Sequence, residues 1–451
     1  MITGLKLNFR RCLFSQANRE PRKNFKFKYL FPINSQKQIL PMKNIALNIF
    51  HISKQRISKL LLLAIMSLLT IRRMTVEFNR LILINNEFGA IDLKQRYYEV
   101  LAWFSGETVY GEIHTAVYPP ASYTMLWPFL GYESFSLVRW LWAASTIIAL
   151  VALIYLLLRE SRAKGWLESS VIALMVLSMY GAGETFGYGQ LTIHVLVLLV
   201  ASVVWIPRAT IPTSILMTLA LIKPTLSLPF YWRTLFPRNR YFLILLIGLE
   251  YFALAAIATN FQDGNLLSLH SDWLSSGMAG AEWGSSGGGS VTQGTAGSSF
   301  ATGYGNIHDW LGLMGLNHLN MPVSLAILFV FGYWSYQYRM VDTWLWLGVA
   351  AIISRLWTYH LVYDDLLILL PMITLFRITK LKSIDWVRQL ISGGIFTIAL
   401  IAALIPASLR LRPMWNYIFI MGQTFTWLLM LFFLLYLAWW CKKQNVINNK
   451  A

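Results

Sequence analysis

A short run of this sequence puts a carboxylate at the start of a helix-like segment. Asp92 stands ahead of the apolar periodicity in GAIDLKQRYYEVLAWF, residues 89–104. A carboxylate within hydrogen-bond reach of a hydroxyl can take its proton and turn a poor nucleophile into a competent one. The same position is that of an ordinary helix N-cap, so capping is the alternative reading of Asp92. Three cations complete the set of reactive types: Lys223 in LALIKPTLSLPFYW, and Arg355 and His360 in SRLWTYHLVYDDLLILLP. Preorganised cations stabilise an anion that develops or departs during a reaction. Each has a structural alternative, since Arg355 at a helix end can snorkel to the interface. His360 and Asp364, four residues apart, can form a satisfied buried pair or half of a metal site. No further ligand sits at metal spacing near them, so the expectation is no metal and no cofactor.

The elements that must hold these groups are membrane helices. Of the 451 residues, 56% are hydrophobic and 13% charged, and the mean hydropathy is +0.53. That is more apolar surface than a soluble core of this length buries. A bilayer-crossing helix needs roughly 20 mostly apolar residues. Apolar runs fall at 57–71, 133–158, 168–182, 190–206, 211–222, 224–236, 240–260, 320–338, 342–357, 360–377, 388–407 and 415–440. The sequence therefore predicts an all-α, polytopic integral membrane protein of about 12 transmembrane helices within residues 57–440. The pair 211–222 and 224–236 is short and meets at Lys223-Pro224, which predicts a broken hairpin presenting Lys223 to a polar cavity.

Charge sets the orientation. Residues 1–59 carry thirteen lysines and arginines against the single acid Glu20, as expected of a cytoplasmic N-terminus. This places 1–56 as a basic cytoplasmic tail and 441–451 as a cytoplasmic C-terminal tail, and it makes nucleic acid an unneeded explanation for the net charge of +18. The tail lacks the pattern of a cleaved signal peptide, and Met42 is a second possible start. Two outer loops follow, 72–132 with an amphipathic helix and 261–319. In the first, Leu93, Tyr97, Val100, Leu101 and Phe104 are expected to face lipid, and Lys94, Arg96 and Glu99 water. In the second, ten glycines between Gly277 and Gly305 predict mobility. The cysteines, Cys12 and Cys441, lie at opposite ends of the chain and both on the expected cytoplasmic side, which offers neither a disulfide framework nor a cysteine metal site, and the absence of Asn-x-Ser/Thr sequons fits a bacterial plasma membrane.

The order Asp92, Tyr97-Tyr98, Gly106, Tyr110 and Tyr-Pro-Pro at 118–120 is similar to the first outer loop of glycosyltransferase family 87, membrane mannosyltransferases of the GT-C fold. GYGQLTIHVLVLL (187–199) resembles that family's Gly-Gln element, with Thr192 where Asn is usual. The segments around Lys223-Pro224, GNIHDWLGLMGL (305–316) and 354–371 resemble its Lys-Pro hairpin, its late outer loop and its His-containing helix entry. The resemblance covers about residues 88–375 and implies a GT-C-type bundle. It implies transfer of a sugar, mannose above all, from a polyprenyl-phosphate donor to a lipid or glycan acceptor hydroxyl on the outer face. Asp92 would be the general base and Arg355, His360 and Lys223 the donor-phosphate site. Tyr97, Tyr98, Tyr118, Gln190, Asn306 and Asp364 would contact substrate. Displacement with inversion needs one such base, whereas the glycosidase pattern needs an acid as well. The alternatives are a polymerase or ligase of lipid-linked glycans, and a polytopic transporter or flippase; an inverted repeat would favour the last, and none is visible.

Overall fold

The computed structural model describes residues 42–86, 89–113, 116–205, 210–236, 241–285, 305–405 and 413–448. The basic tail up to residue 41 and most of the Gly-rich stretch, 286–304, lie outside the described residues. Every regular element among the described residues is helical, with no strand among them. In order, the helices are α1 Met42–Phe78, α2 Ile91–Ser105, α3 Pro120–Leu130, α4 Phe135–Ser161, α5 Gly165–Ser178, α6 Tyr180–Tyr188, α7 Thr192–Trp205, α8 Thr210–Ala220 and α9 Pro224–Leu235. There follow α10 Tyr241–Thr259, α11 Leu266–Ser285, α12 Ile307–Leu313, α13 Asn320–Gln337, α14 Thr343–Leu356, a 3-10 turn Val362–Ile368, α15 Leu369–Ile378, α16 Trp386–Leu404 and α17 Pro413–Asn448.

Five stretches among the described residues are long and apolar enough to cross a bilayer, within α4, α10, α13, α16 and α17. A sixth arises if α5 and α6, bent by 48° at Met179, count as one span. The apolar helices α7, α8 and α14 are each too short to cross unaided. The expected twelve full crossings are thus not present as twelve long helices. The reason is local: Met179 and the 3-10 turn divide the runs 168–182 and 360–377, the two runs that meet at Lys223-Pro224 form short helices, and non-helical backbone at membrane depth is tolerated where protein covers it. The first expected run, 57–71, is part of a longer helix. α1 continues to Phe78 and into a π turn, Asn79–Leu83, that packs on α6.

Sequence signals fix the helix ends that matter to the site. Pro120 and Pro224 occupy first-turn positions, where a missing N–H costs nothing. Asp342 caps α14 by accepting from the backbone N–H groups of Trp344 and Leu345 (2.9 and 3.2 Å), and Asn306 caps α12 through Asp309 N–H (3.0 Å). Gly189 closes α6 with φ +75°, a left-handed conformation that favours glycine, and a Cβ there would lie 2.5 Å from that of Leu93. That approach seats α2 against the α6–α7 corner. The outward faces are apolar, with Leu249, Phe252, Phe329, Val330, Phe425 and Phe432 each more than half exposed. At the end where α4 finishes and α14 begins, Lys380 pairs with Glu168 (2.5 Å), Arg377 donates to the Glu160 carbonyl and Trp344 donates to its carboxylate (3.2 Å). The groups singled out for chemistry gather at the opposite end.

Candidate active site

Six chain breaks or helix ends converge there: the start of α2, the α6–α7 corner, the α8–α9 junction, the start of α12, and the C-terminus of α14 with the 3-10 turn that follows. Asp92 is not the cap of α2. The N-cap is Ala90, held at φ 50°, and Asp92 is the second residue of the helix. Its carboxylate is turned instead to Gln190, whose amide donates to Oδ2 at 2.7 Å. A carboxylate in a first turn still gains from the unpaired N–H groups there. Asp92 lies deep among protein atoms yet keeps an opening to solvent. Burial raises its proton affinity above the usual carboxylate range, opposed by the Gln190 hydrogen bond and by the charges of Arg96 and Lys223, and assisted by Glu184.

Asp364 is the hub of the site. Its Oδ1 accepts from Thr192 Oγ1 (2.5 Å) and Lys223 Nζ (2.8 Å); its Oδ2 accepts from His360 Nδ1 (2.9 Å) and Lys223 Nζ (3.1 Å). Four hydrogen bonds from three side chains fill the acceptor positions of a carboxylate. His360 therefore carries a proton on Nδ1, and its Nε2 meets Thr358 Oγ1 at 3.0 Å. The Lys223 ammonium also lies 4.8 Å from the Tyr363 ring centroid, and its side chain is 12% exposed. Three N–H donors on an ammonium leave it able to reach a further acceptor.

Arg355 is placed differently from the three-cation expectation. It is 1% exposed, its Nε donates to Asp365 Oδ1 at 2.8 Å, and its guanidinium sits 4.9 Å from the Trp427 ring centroid. Gln423 Nε2 holds the other oxygen of Asp365 at 2.8 Å. Its fork faces a neighbouring carboxylate because the 3-10 turn directs Asp364 and Asp365 to opposite partners. Asn306 is fully buried, and its Nδ2 donates to Asp309 Oδ2 (2.6 Å) and to the His360 carbonyl (3.3 Å). Burial pushes Asp309 up to about 7, against the pull of Arg355 and Asn306.

The tyrosines divide. Tyr118 is buried, carries the Arg96 guanidinium 4.7 Å from its ring centroid, and its carbonyl accepts from Tyr110 (2.7 Å). Tyr97 is buried but donates to the Glu133 carbonyl (2.7 Å), away from the carboxylates, while Tyr98 is 55% exposed. The expected wet face of α2 is corrected here. Arg96 and Glu99 form a buried pair at 2.8 Å, because Tyr118 and the residues around it cover that side of the helix. Glu184 and His194, on either side of the Gly-Gln corner, meet Arg80 (3.2 Å) and Ser145 (3.2 Å). Asp365, Gln423 and the Arg96–Glu99 pair carried no signal of their own in the sequence, since each acquires its partner from a distant or covering element.

Neither a curated protein nor a solved structure matches this chain. The family model of glycosyltransferase family 87 matches residues 116–292, a range that spans the Tyr-Pro-Pro turn, the Gly-Gln corner and the Lys223-Pro224 junction. Taken with the membrane helices and the polar site at one end of the bundle, that match supports membership of this chain in glycosyltransferase family 87, and hence a transferase activity.

Proposed function

We propose that the chain transfers a sugar, mannose by the family resemblance, from a polyprenyl-phosphate donor to a hydroxyl of a lipid or glycan acceptor, with Asp92 as general base. The observation that carries this reading is the contrast between the aspartates. Asp364 has its acceptor positions filled and Asp365 is held by Arg355 and Gln423, whereas Asp92 is steadied at one oxygen by Gln190 and keeps an opening to solvent. In the step, the acceptor oxygen attacks the anomeric carbon while its proton passes to Asp92. The bond from that carbon to the phosphate oxygen breaks, and its electron pair leaves with the phosphate. A carboxylate of raised proton affinity is a stronger base at neutral pH.

The leaving phosphate needs a cation, not an acid. Lys223 is the one of the three that keeps some exposure, and its charge is felt at Asp92. In this reading Arg355 and His360 act from behind, fixing Asp365 and Asp364 so that the turn and Lys223 stay in place. The site lies at the end of the bundle away from the Lys380–Glu168 and Arg377–Glu160 contacts, which supports an outward-facing position by the rule that basic residues stay inside. Incubating membranes that contain the protein with radiolabelled polyprenyl-phosphate mannose or with a nucleotide-linked mannose tests it. Label is expected in lipid or glycan product from the first donor and none directly from the second. Direct use of the nucleotide sugar alone would overturn the donor assignment.

A further inference from the structure

The corner between α12 and α13 holds polar atoms that no group among the described residues satisfies. Asn320, the first residue of α13, is 6% exposed, and neither its Oδ1 nor its Nδ2 has a hydrogen-bond partner, so turning the amide over leaves the same demand. His308 of α12 is 5% exposed with an unpartnered Nδ1, and the Oδ1 of Asn317, on the 3-10 turn Asn317–Leu319 leading into α13, is unpartnered as well. A buried polar group left without a partner costs on the order of 1–3 kcal/mol. Such groups are rare enough in native structures to call for a ligand or water.

Their chemistry can be worked out. Ser324 Oγ donates its one proton to the Trp357 carbonyl at 2.6 Å, so at the 2.7 Å contact with His308 Nε2 it must accept. The ring proton of His308 is therefore on Nε2. Burial and the charge of His360 push this histidine down to about 4, against a contact with the Asn320 backbone, so it is neutral at working pH and Nδ1 keeps its lone pair. Ser324 lies one helical turn beyond Asn320, on the same face. The corner thus presents two acceptors, His308 Nδ1 and Asn317 Oδ1, and an amide, Asn320, that both donates and accepts. None of these three groups carries a charge. An anion would find more lone pairs than donors there. A hydroxyl, which donates one bond and accepts others, fits. The approach is by way of Asn317, which is partly exposed, while Asn320 and His308 lie deeper. The corner borders the site, since Asn306 reaches the His360 carbonyl and His308 feels the His360 ring.

We infer that the α12–α13 corner is a hydroxyl-binding subsite that takes the edge of an uncharged sugar, with Asn320 as its central residue and His308 and Asn317 as acceptors. This rests on the transferase reading above. Two hydroxyl-bearing sources are open, the sugar of the donor and that of the acceptor.

The test uses the purified full chain in detergent and the variant Asn320→Leu. Saturation-transfer NMR titrations with methyl α-mannoside are expected to show saturable binding in the wild type and a weakening of about tenfold in the variant, the scale of one hydrogen bond lost. Inorganic phosphate is expected to compete in neither. Because the substitution removes unsatisfied polar atoms, the variant's melting temperature should hold or rise, which guards against reading a folding defect as lost binding. In transfer assays the KM of one substrate alone should rise, and which one rises identifies the source. Equal sugar binding by wild type and variant, or no saturable binding by the wild type, overturns the subsite and leaves the corner a water pocket. Wild type with no transfer from any donor, but with sugar binding that Asn320→Leu weakens, would instead overturn the proposed reaction and keep the subsite.

Discussion

At the scale of single residues the account turns on how Asp92 is held. Gln190 donates to its carboxylate and so favours the charged form. In Gln190→Leu that support is gone and the proton affinity of Asp92 rises further. The acid limb of the kcat/KM profile should therefore move to higher pH, by roughly 1–2 units for one hydrogen bond to a charged group. A limb that stays in place in the variant means that Asp92 is not the group whose ionisation governs the rate. Asp92 and Lys223 were readable in the sequence because local signals marked them, a polar start to an amphipathic run and a lysine before a proline inside an apolar one. The pairing of His360 with Asp364 was legible from their spacing. Thr192 on Asp364, 172 positions away, and Gln190 on Asp92, 98 positions away, needed the folded bundle to bring them together. The Arg96–Glu99 pair misled, since helical periodicity sees the face of one helix and not the tyrosine that covers it.

At the scale of elements, the site depends on how closely α6 lies against the 3-10 turn that carries both aspartates. A Cβ built on Gly181 falls 3.1 Å from the Val362 carbonyl and 3.2 Å from the Leu366 nitrogen, both backbone atoms that cannot swing aside. Thr185 reinforces the contact by bonding to the Tyr363 carbonyl at 3.1 Å. Gly181→Val should push the turn away from α6, cost about 1–3 kcal/mol as overpacking does, and lower transfer activity by more than the stability loss explains. Thermal unfolding and assay of the purified variant measure the two together. A variant with normal stability and rate would show that the turn tolerates displacement. Helix positions followed well from apolar runs, but breaks at Met179 and the 3-10 turn did not. Neither is announced by a proline at the break, so the length of a run overstated the length of the helix.

At the scale of the whole molecule, the apolar exterior and the separation of the polar site from the basic end motivate the proposed outward orientation of the site. Cys441 is buried, so its silence toward a thiol reagent says nothing about its side of the membrane. Exposed positions are needed. Glu112→Cys, near the site, should react with an impermeant maleimide in intact cells, and Lys382→Cys, at the far end, only after permeabilisation. The reverse pattern would place the site among cytosolic nucleotide sugars. The measurement that bears most directly on the central claim is the transfer rate of Asp92→Asn with polyprenyl-phosphate mannose as donor. The amide keeps the size of the side chain and an oxygen for Gln190, but it cannot take a proton. The rate should fall by at least about 10²-fold, the span of general-base catalysis, with the melting temperature little changed. A variant that folds and transfers at the wild-type rate would contradict the assignment of Asp92 as the base.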